Sequence, residues 1–388
     1  MTTSITIDPN GLKLWSEIPP LTDYSSSDRA EIFALSEPLQ FYERSRVAGL
    51  APSLRLQRNE HFLRLAFATY FDRIHPREVC LAWSEFADLA LKTSLIFFFK
   101  GQDVSLLALG KLGSHELNLS SDVDLCVVVD AATEEFSQSL RQWIQFLSER
   151  TSEGFIFRTD FNLRPGGRFG PLLPTVDEYV DYYLNYGENW ERVALLRMRA
   201  ITQSETAQRI ETDLERFCYR KFLDHGLMRS LNSLRGDIFH ESAKKPNPLD
   251  LKLVPGGIRD VELFVHSLQV IYGGRHKGLR VRSIEAAVRE LAQLGLFPEA
   301  SADEFLKHYW SLRKLENLTQ ALTDSQRHDH LADLPLPDRF RNEYHSLDFA
   351  KFRELISGLI NVPSTPTPKT STGLDGFENI PILSRNKE

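Results

Sequence analysis

Cysteine is scarce: Cys80, Cys126 and Cys218 are the only three in 388 residues. They stand far apart with no CxxC pair, which excludes a disulfide framework and a cysteine-built zinc site and leaves buried free thiols as the expectation. Long apolar runs are also missing. The most apolar short stretches, LIFFF at 95–99 and LCVVV at 125–129, fall far below the ~20 residues that a membrane helix needs. The opening MTTSITIDPN has neither a basic nor an apolar region of signal-peptide type, so a cytoplasmic protein is expected. There is no excess of positive charge, since 46 Lys and Arg against 53 Asp and Glu leave a net charge of −7. A dedicated nucleic-acid binder usually carries a basic face, and that class is disfavoured. No internal repeat is visible.

What is present is an ordinary globular composition, 42% hydrophobic and 26% charged, enough for a sizeable core. Residues 1–28, rich in Pro, Ser and Thr, read as a mobile leader, with Ser27 or Asp28 capping a helix near Arg29. An N-terminal helical region is expected over 29–100. Leu54, Phe62, Leu65, Ala66 and Phe71 recur near the helical period, and Pro76 opens a second helix carrying Val79, Trp83, Phe86 and Leu89. The period then changes. VSLLALG (104–110) and DVDLCVVVD (122–130) read as buried strands, 133–151 as helix, and FIFRTDFNL (155–163) as a half-buried strand with Phe155, Phe157 and Phe161 on one face. A Gly/Pro turn region follows at 163–171. Beyond Pro174 the chain is mostly helical, with breaks at Lys244–Pro248, Pro255–Gly257, Gly273–Gly278 and Leu334–Pro337. The fold class is α+β, with a catalytic core at 101–200, a helical domain at 201–357 and a disordered tail at 358–388.

The informative segment is LGKLGSHELNLSSDVDL (109–125). Side chains two apart on a strand share a face, so Asp122 and Asp124 present their carboxylates together while Val123 and Leu125 pack inward. Two adjacent like charges repel unless a cation lies between them, and magnesium is the oxygen-seeking ion that fits. Asp160 on a second strand supplies a third carboxylate, enough to hold two ions for an in-line phosphoryl displacement. Gly110, Gly113 and Ser114 follow a strand, where small residues let backbone N–H groups approach a phosphate. GKLGS is not a Walker A loop, because the GK[ST] ending is missing. Strand, Gly-Ser turn, Asp-x-Asp strand and a later Asp resemble the polymerase-beta-like nucleotidyltransferase fold.

GKLGSHELNLSSDVDL further resembles the catalytic motif of the glutamine synthetase adenylyltransferase/adenylyl-removing enzyme family. RTDFNLRPGGRFGPL (158–172), YGENWERVALLRMRAI (186–201), KLVPGGIRDVELFVHSLQVIYGG (252–274) and LRKLENLTQALTDSQRH (312–328) resemble further blocks of that enzyme, in its order, over about residues 50–335. The family enzyme carries two tandem nucleotidyltransferase modules. One removes AMP from a glutamine synthetase tyrosine by phosphorolysis, releasing ADP; the other attaches AMP from ATP. This length suits one module, and ELN-x-SSD, NWER and GGIRD are most similar to the N-terminal, AMP-removing one. The resemblance implies Asp122, Asp124 and Asp160 as metal ligands for Mg2+, and Gly113 and Ser114 as the phosphate-contacting turn. ATP or ADP and inorganic phosphate are the implied substrates or products. Glutamine synthetase is the implied protein substrate, with a PII-type signal protein or a separate second module as further partners. The chain departs from the family pattern at Asn162, in the Gly166–Gly170 turn and in VPGG at 254–257.

Several further residues are candidates. Arg164 and Arg168 flank the turn after Asp160 and suit phosphate contact. Lys111 points from the phosphate turn. Glu191 and Arg192 sit in NWERVALLRMRAI, where Arg197 and Arg199 face the cleft or form a structural salt bridge to Glu191. Gly256 and Gly257 before a helix offer free N–H groups to an anion, with Arg259 beside them. His328 and His330 point apart on a helix and lack a third ligand, so no metal is expected there. Two competing functions use the same residues: AMP transfer from ATP to a protein, and a catalytically silent nucleotide-binding regulatory module.

Overall fold

The computed structural model describes residues 5, 7, 12–35, 53–100, 102–221, 225–244, 250–325 and 337–361. Residues 12–28, expected as part of a mobile leader, pack against the helices that follow. Leu12, Ile18, Leu21 and Tyr24 are buried in the main core, and Arg64 explains why. This guanidinium, itself buried, stacks over the Trp15 ring at 3.4 Å and donates to the carbonyls of Trp15 (3.1 Å), Pro19 (3.3 Å) and Ile18. A buried cation needs acceptors, and the opening segment supplies them. The helix expected near Arg29 spans Ser26–Leu35. Its cap is Ser25, not Ser27 or Asp28: Ser25 Oγ accepts the Asp28 N–H at 3.0 Å, and Asp28 accepts the Ser25 N–H in return.

Two long helices follow, Leu54–Tyr70 and Pro76–Phe98. Ser53 caps the first, and a His75/Glu78 capping box with Pro76 at the first position starts the second. Strands β1 (Ser105–Ala108), β2 (Val123–Val128), β3 (Thr159–Asp160) and β4 (Arg199–Ala200) form one sheet in the order β3-β2-β1-β4. β1 is antiparallel to β2 and β4, and β2 is parallel to β3. The strand expected over 155–163 shrinks to two residues. Ile156 and Phe157 both turn their N–H groups to the Leu147 carbonyl, so they dock against the end of the Glu134–Ser148 helix instead of extending the ladder.

Alternation along the strands sends side chains to two cores. Leu106, Ala108, Val123, Leu125 and Val127 join the main cluster, with the N-terminal helices and the Glu299–Thr323 helix. Leu107, Leu109, Cys126 and Val128 join a second cluster with residues of the Val176–Asn185 and Glu205–Cys218 helices. Packing therefore runs through the expected boundary at residue 200. The expected breaks at Pro255–Gly257 and Gly273–Gly278 bound the Ile258–Tyr272 helix. Residues 358–361, expected as tail, lie in the Phe349–Asn361 helix, and 362–388 lie outside the described residues, as do 245–249 and 326–336. All three cysteines are free and buried. No described helix is long and apolar enough to cross a membrane.

Burial holds several histidines neutral. His61 and His308 are pushed down to about 4, and His266 lies well below its ordinary value, in each case chiefly by burial. Because the folded value is depressed, the unfolded chain binds more protons below its ordinary 6.5. This stability is complete above pH 6.5 and is lost as pH falls toward 4, with a slope of up to about 1.4 kcal/mol per pH unit for each group. Chemical denaturation at pH 7.5 and 5.5 should show the loss in the native protein. In His308→Gln the loss should be smaller by about 1 kcal/mol; an unchanged loss would show that His308 is not held neutral.

Candidate active site

The three candidate carboxylates lie at one end of the sheet. Asp122 directly precedes β2, Asp124 is its second residue, and the parallel register sets Asp124 opposite Asp160 on β3. Val123 and Leu125 are fully buried on the main-core side, so Asp124 faces the opposite way. Burial, then the neighbouring Asp160 and Asp122, push the Asp124 carboxyl up to about 6. Two of the three side chains are engaged locally. Asp122 Oδ1 accepts from Arg158 Nε at 2.8 Å, while Arg158 also donates to the Ser120 carbonyl. Asp160 Oδ1 accepts the Asn162 N–H at 2.6 Å. Among the described residues no three His, Cys, Asp or Glu side chains converge as a ready metal site. The donor set itself suits a hard divalent ion: all are carboxylate oxygens, and the mutual repulsion felt at Asp124 is what a cation would relieve.

The GKLG segment is a single helical turn, Gly110–Gly113. Gly110 adopts φ +51°, and a Cβ there would collide with Asp124 Oδ2, so glycine is required both for the backbone and for the carboxylate's room. Gly113 abuts the carbonyls of Arg197 and Ala108. The expected phosphate cradle differs from this arrangement. The Gly113 N–H donates to Leu109 O, the Ser114 N–H to Leu112 O, and the buried Ser114 hydroxyl to Lys111 O. Both residues spend their donors closing the turn.

The basic candidates are engaged in the same way. Lys111 Nζ donates to Asn118 Oδ1 at 2.9 Å and pairs with Glu316 at 3.2 Å. Burial pushes its ammonium down to about 8 against the opposing pull of Glu316. Arg164 donates to the carbonyls of Phe161, Arg168 and Gly170, which staples the 161–170 loop, and Tyr183 Oη donates to Leu163 O beneath it. Arg168 is exposed and stacks on Phe169. Arg259 is exposed on the first turn of its helix. The N–H groups expected to be free there are used: Gly256 donates to Asp260 Oδ2, Gly257 to Val254 O, Ile258 to Leu251 O and Arg259 to Lys252 O. Glu191 is tied to Tyr182 and the Glu188 N–H, not to an arginine. Arg192 donates to Cys218 O, Arg197 pairs with Glu262 at 2.9 Å, and Arg199 pairs with Asp88 at 2.8 Å. His328 and His330 lie outside the described residues.

Residues not singled out from the sequence frame this centre: Arg158, Glu116, Asn118, Arg313, Glu316 and Asn317. A signal was present in LRKLENLTQ, where Arg313, Glu316, Asn317 and Gln320 fall at i, i+3, i+4 and i+7, a polar stripe on one helical face. All four are buried.

A small mixed sheet between helical layers defines a mixed α+β protein. Residues 16–213 match the family described as glutamate-ammonia ligase adenylyltransferase, and residues 230–339 match that of the GlnD PII-uridylyltransferase. The chain belongs to the glutamate-ammonia ligase adenylyltransferase family. Among curated relatives, it is 39% identical to the bifunctional glutamine synthetase adenylyltransferase/adenylyl-removing enzyme of Rhizobium meliloti, over 58% of this chain and 24% of the relative. The enzyme of the same name from Nitrosococcus oceani is 37% identical over 59% and 25%, and that of Bartonella quintana 32% identical over 72% and 32%. The chain thus spans about a quarter to a third of the length of these relatives.

Gly110→Ala forces a side chain onto a left-handed backbone and into Asp124. The variant should lose about 1–3 kcal/mol of stability in chemical denaturation, and an unchanged midpoint would contradict the contact with Asp124.

Proposed function

We propose that the chain is a nucleotidyltransferase that removes AMP from an adenylylated tyrosine of glutamine synthetase by phosphorolysis, releasing ADP. The observation that carries this reading is the juxtaposition of Asp124 with Asp160 and Asp122 at the sheet end, in a chain of this family. The small mixed sheet with carboxylates at its strand ends is compatible with a nucleotidyltransferase-type core, which supports the same reading. Asp122, Asp124 and Asp160 would hold two magnesium ions, which supply positive charge at the phosphoryl oxygens and the leaving oxygen. Inorganic phosphate attacks the phosphorus of AMP-tyrosine in line, the bond to the tyrosine oxygen breaks, and that oxygen leaves to take up a proton. The chain's own part is placement. Arg158 orients Asp122, the parallel register aligns Asp160 with Asp124, and the missing Cβ of Gly110 leaves the Asp124 carboxylate its space. Lys111, Gly113 and Ser114 serve as the frame of the turn, while Arg168 and Arg259 are both exposed.

The relatives' names include adenylyl transfer as well as adenylyl removal, so AMP transfer from ATP by the same carboxylates is the second reading. The match of residues 230–339 to a PII-uridylyltransferase family supports a PII-type signal protein as a regulatory partner. A mass-spectrometric turnover assay with adenylylated glutamine synthetase, magnesium and phosphate tests the reading. Phosphate-dependent loss of AMP with ADP appearing is expected, and it should fall by at least ~100-fold in Asp122→Asn/Asp124→Asn. AMP gained from ATP by the unmodified protein, with no phosphorolysis, would reverse the direction.

A further inference from the structure

Lys111 sits in the middle of the turn that abuts Asp124, yet its ammonium points into the protein. There it joins a set of buried and part-buried charges, with Lys252 also acting on Lys111 and Glu316. Three cations, Lys111, Arg197 and Arg313, pair with two carboxylates, Glu262 and Glu316, and the Glu116 carboxylate lies close by. Arg313 has no exposed side-chain surface and Glu316 only 2%. Arg313 lies 3.6 Å from Glu316 and 3.6 Å from Glu262, and it donates to Asn118 Oδ1 at 2.6 Å and to the Glu116 carbonyl. Asn317 Oδ1 accepts from Asn118 Nδ2 at 3.0 Å and from the Leu119 N–H at 3.1 Å. Glu116 Oε1 accepts the Ile284 N–H at 3.0 Å.

The membership of this set is uneven along the chain. Lys111, Glu116, Asn118 and Arg197 lie within 16–213, while Glu262, Arg313, Glu316 and Asn317 lie within 230–339, the two segments matched to different families. The first group brackets the turn: Lys111 is inside it, and the Arg197 carbonyl presses on Gly113. The second group comes from the Ile258–Tyr272 and Glu299–Thr323 helices. Two of Lys111's donors are taken by Asn118 and Glu316, so its position follows theirs.

We propose that Glu316 is a positioning residue: through Lys111 it fixes the Gly110–Gly113 turn against Asp124, so that a helix of the second segment completes the centre carried by the first. Lys111 on this account acts as the tether of the turn rather than as a phosphate ligand. The proposal rests on the reading of Asp124 as part of the catalytic centre.

A purely structural role and a positioning role separate on charge balance. Glu316→Gln removes the carboxylate that Lys111 and Arg313 share and strands the Lys111 ammonium, whereas Lys111→Met/Glu316→Gln removes that ammonium as well. In the full chain with adenylylated glutamine synthetase, Glu316→Gln should lower kcat about tenfold or more, with KM for the protein substrate nearly unchanged. The double variant should recover the melting temperature but not kcat. Hydrogen exchange of the amides of residues 110–114 should quicken about tenfold in both variants, with those of Val79–Leu91 unchanged. Recovery of kcat together with melting temperature in the double variant would overturn the proposal, as would unaltered exchange in the turn. The exchange measurement decides the matter even if the wild-type chain turns over no AMP, a result that would count against the assigned reaction alone. Activity surviving in Asp122→Asn/Asp124→Asn would likewise strike the reading of the carboxylates and leave the tether standing.

Discussion

Ionised side chains taken out of water are expensive, several kcal/mol for each ion even after relaxation, and a set of them persists only when its charges cancel and its hydrogen bonds are filled. Lys111, Arg197 and Arg313, paired with Glu262 and Glu316 and bridged by Asn118, come near that condition. Burial alone would raise the Glu316 carboxyl, but Lys111 and then Arg313 outweigh it and hold it below its ordinary range. Glu116 lacks as close a cationic partner, and burial raises it instead. The turn beside Asp124, the approach of Arg197 to that turn, and the seating of the Glu299–Thr323 helix all depend on this balance. Removing one partner of a buried pair costs about 3–5 kcal/mol, because the other charge is stranded.

The sheet is the wall between the two cores, and the carboxylates stand at its edge. Buried from β1 to β2 on both faces, the strands cannot slip by one residue without sending Asp124 into the apolar cluster of Leu125 and Val127. The two-residue β3 has no such guarantee of its own. Its place is held by the Val123 N–H donating to the Arg158 carbonyl at 2.9 Å and by the Arg158–Asp122 pair. Register on one side and an ion pair on the other thus deliver three carboxylates from separate stretches of chain to one locality.

Much of this was legible in the amino-acid order, for reasons that can be named. The helices over 54–98 carry apolar residues at helical spacing and start at Ser53 and Pro76 with ordinary capping chemistry. Asp122 and Asp124 are two apart on an apolar run, and period two leaves them little choice of face. The α+β class follows from that change of period. The charged seam was not legible in the same way, because its partners are remote: Lys111 and Glu316 are 205 positions apart, and no local pattern couples them. Gly113, Ser114 and the Gly256–Gly257 pair looked like phosphate-binding turns because small residues permit close approach. The atoms that approach are the protein's own carbonyls and Asp260. Arg164, suited to phosphate, here donates to three loop carbonyls, to which a guanidinium is equally suited.

The opening segment, with its Pro and Ser, resembles dispensable chain, yet it supplies what Arg64 lacks. A chain begun at residue 29 would remove the Trp15, Ile18 and Pro19 carbonyls together with the Trp15 ring that stacks on His61 at 3.7 Å. A guanidinium would then face open water beside newly bared aromatic surface at Phe67 and Phe71, both of which pack on Tyr24. Trimming to the first obvious helix, the usual route to a tidier protein for crystallisation, would in this case manufacture a sticky face.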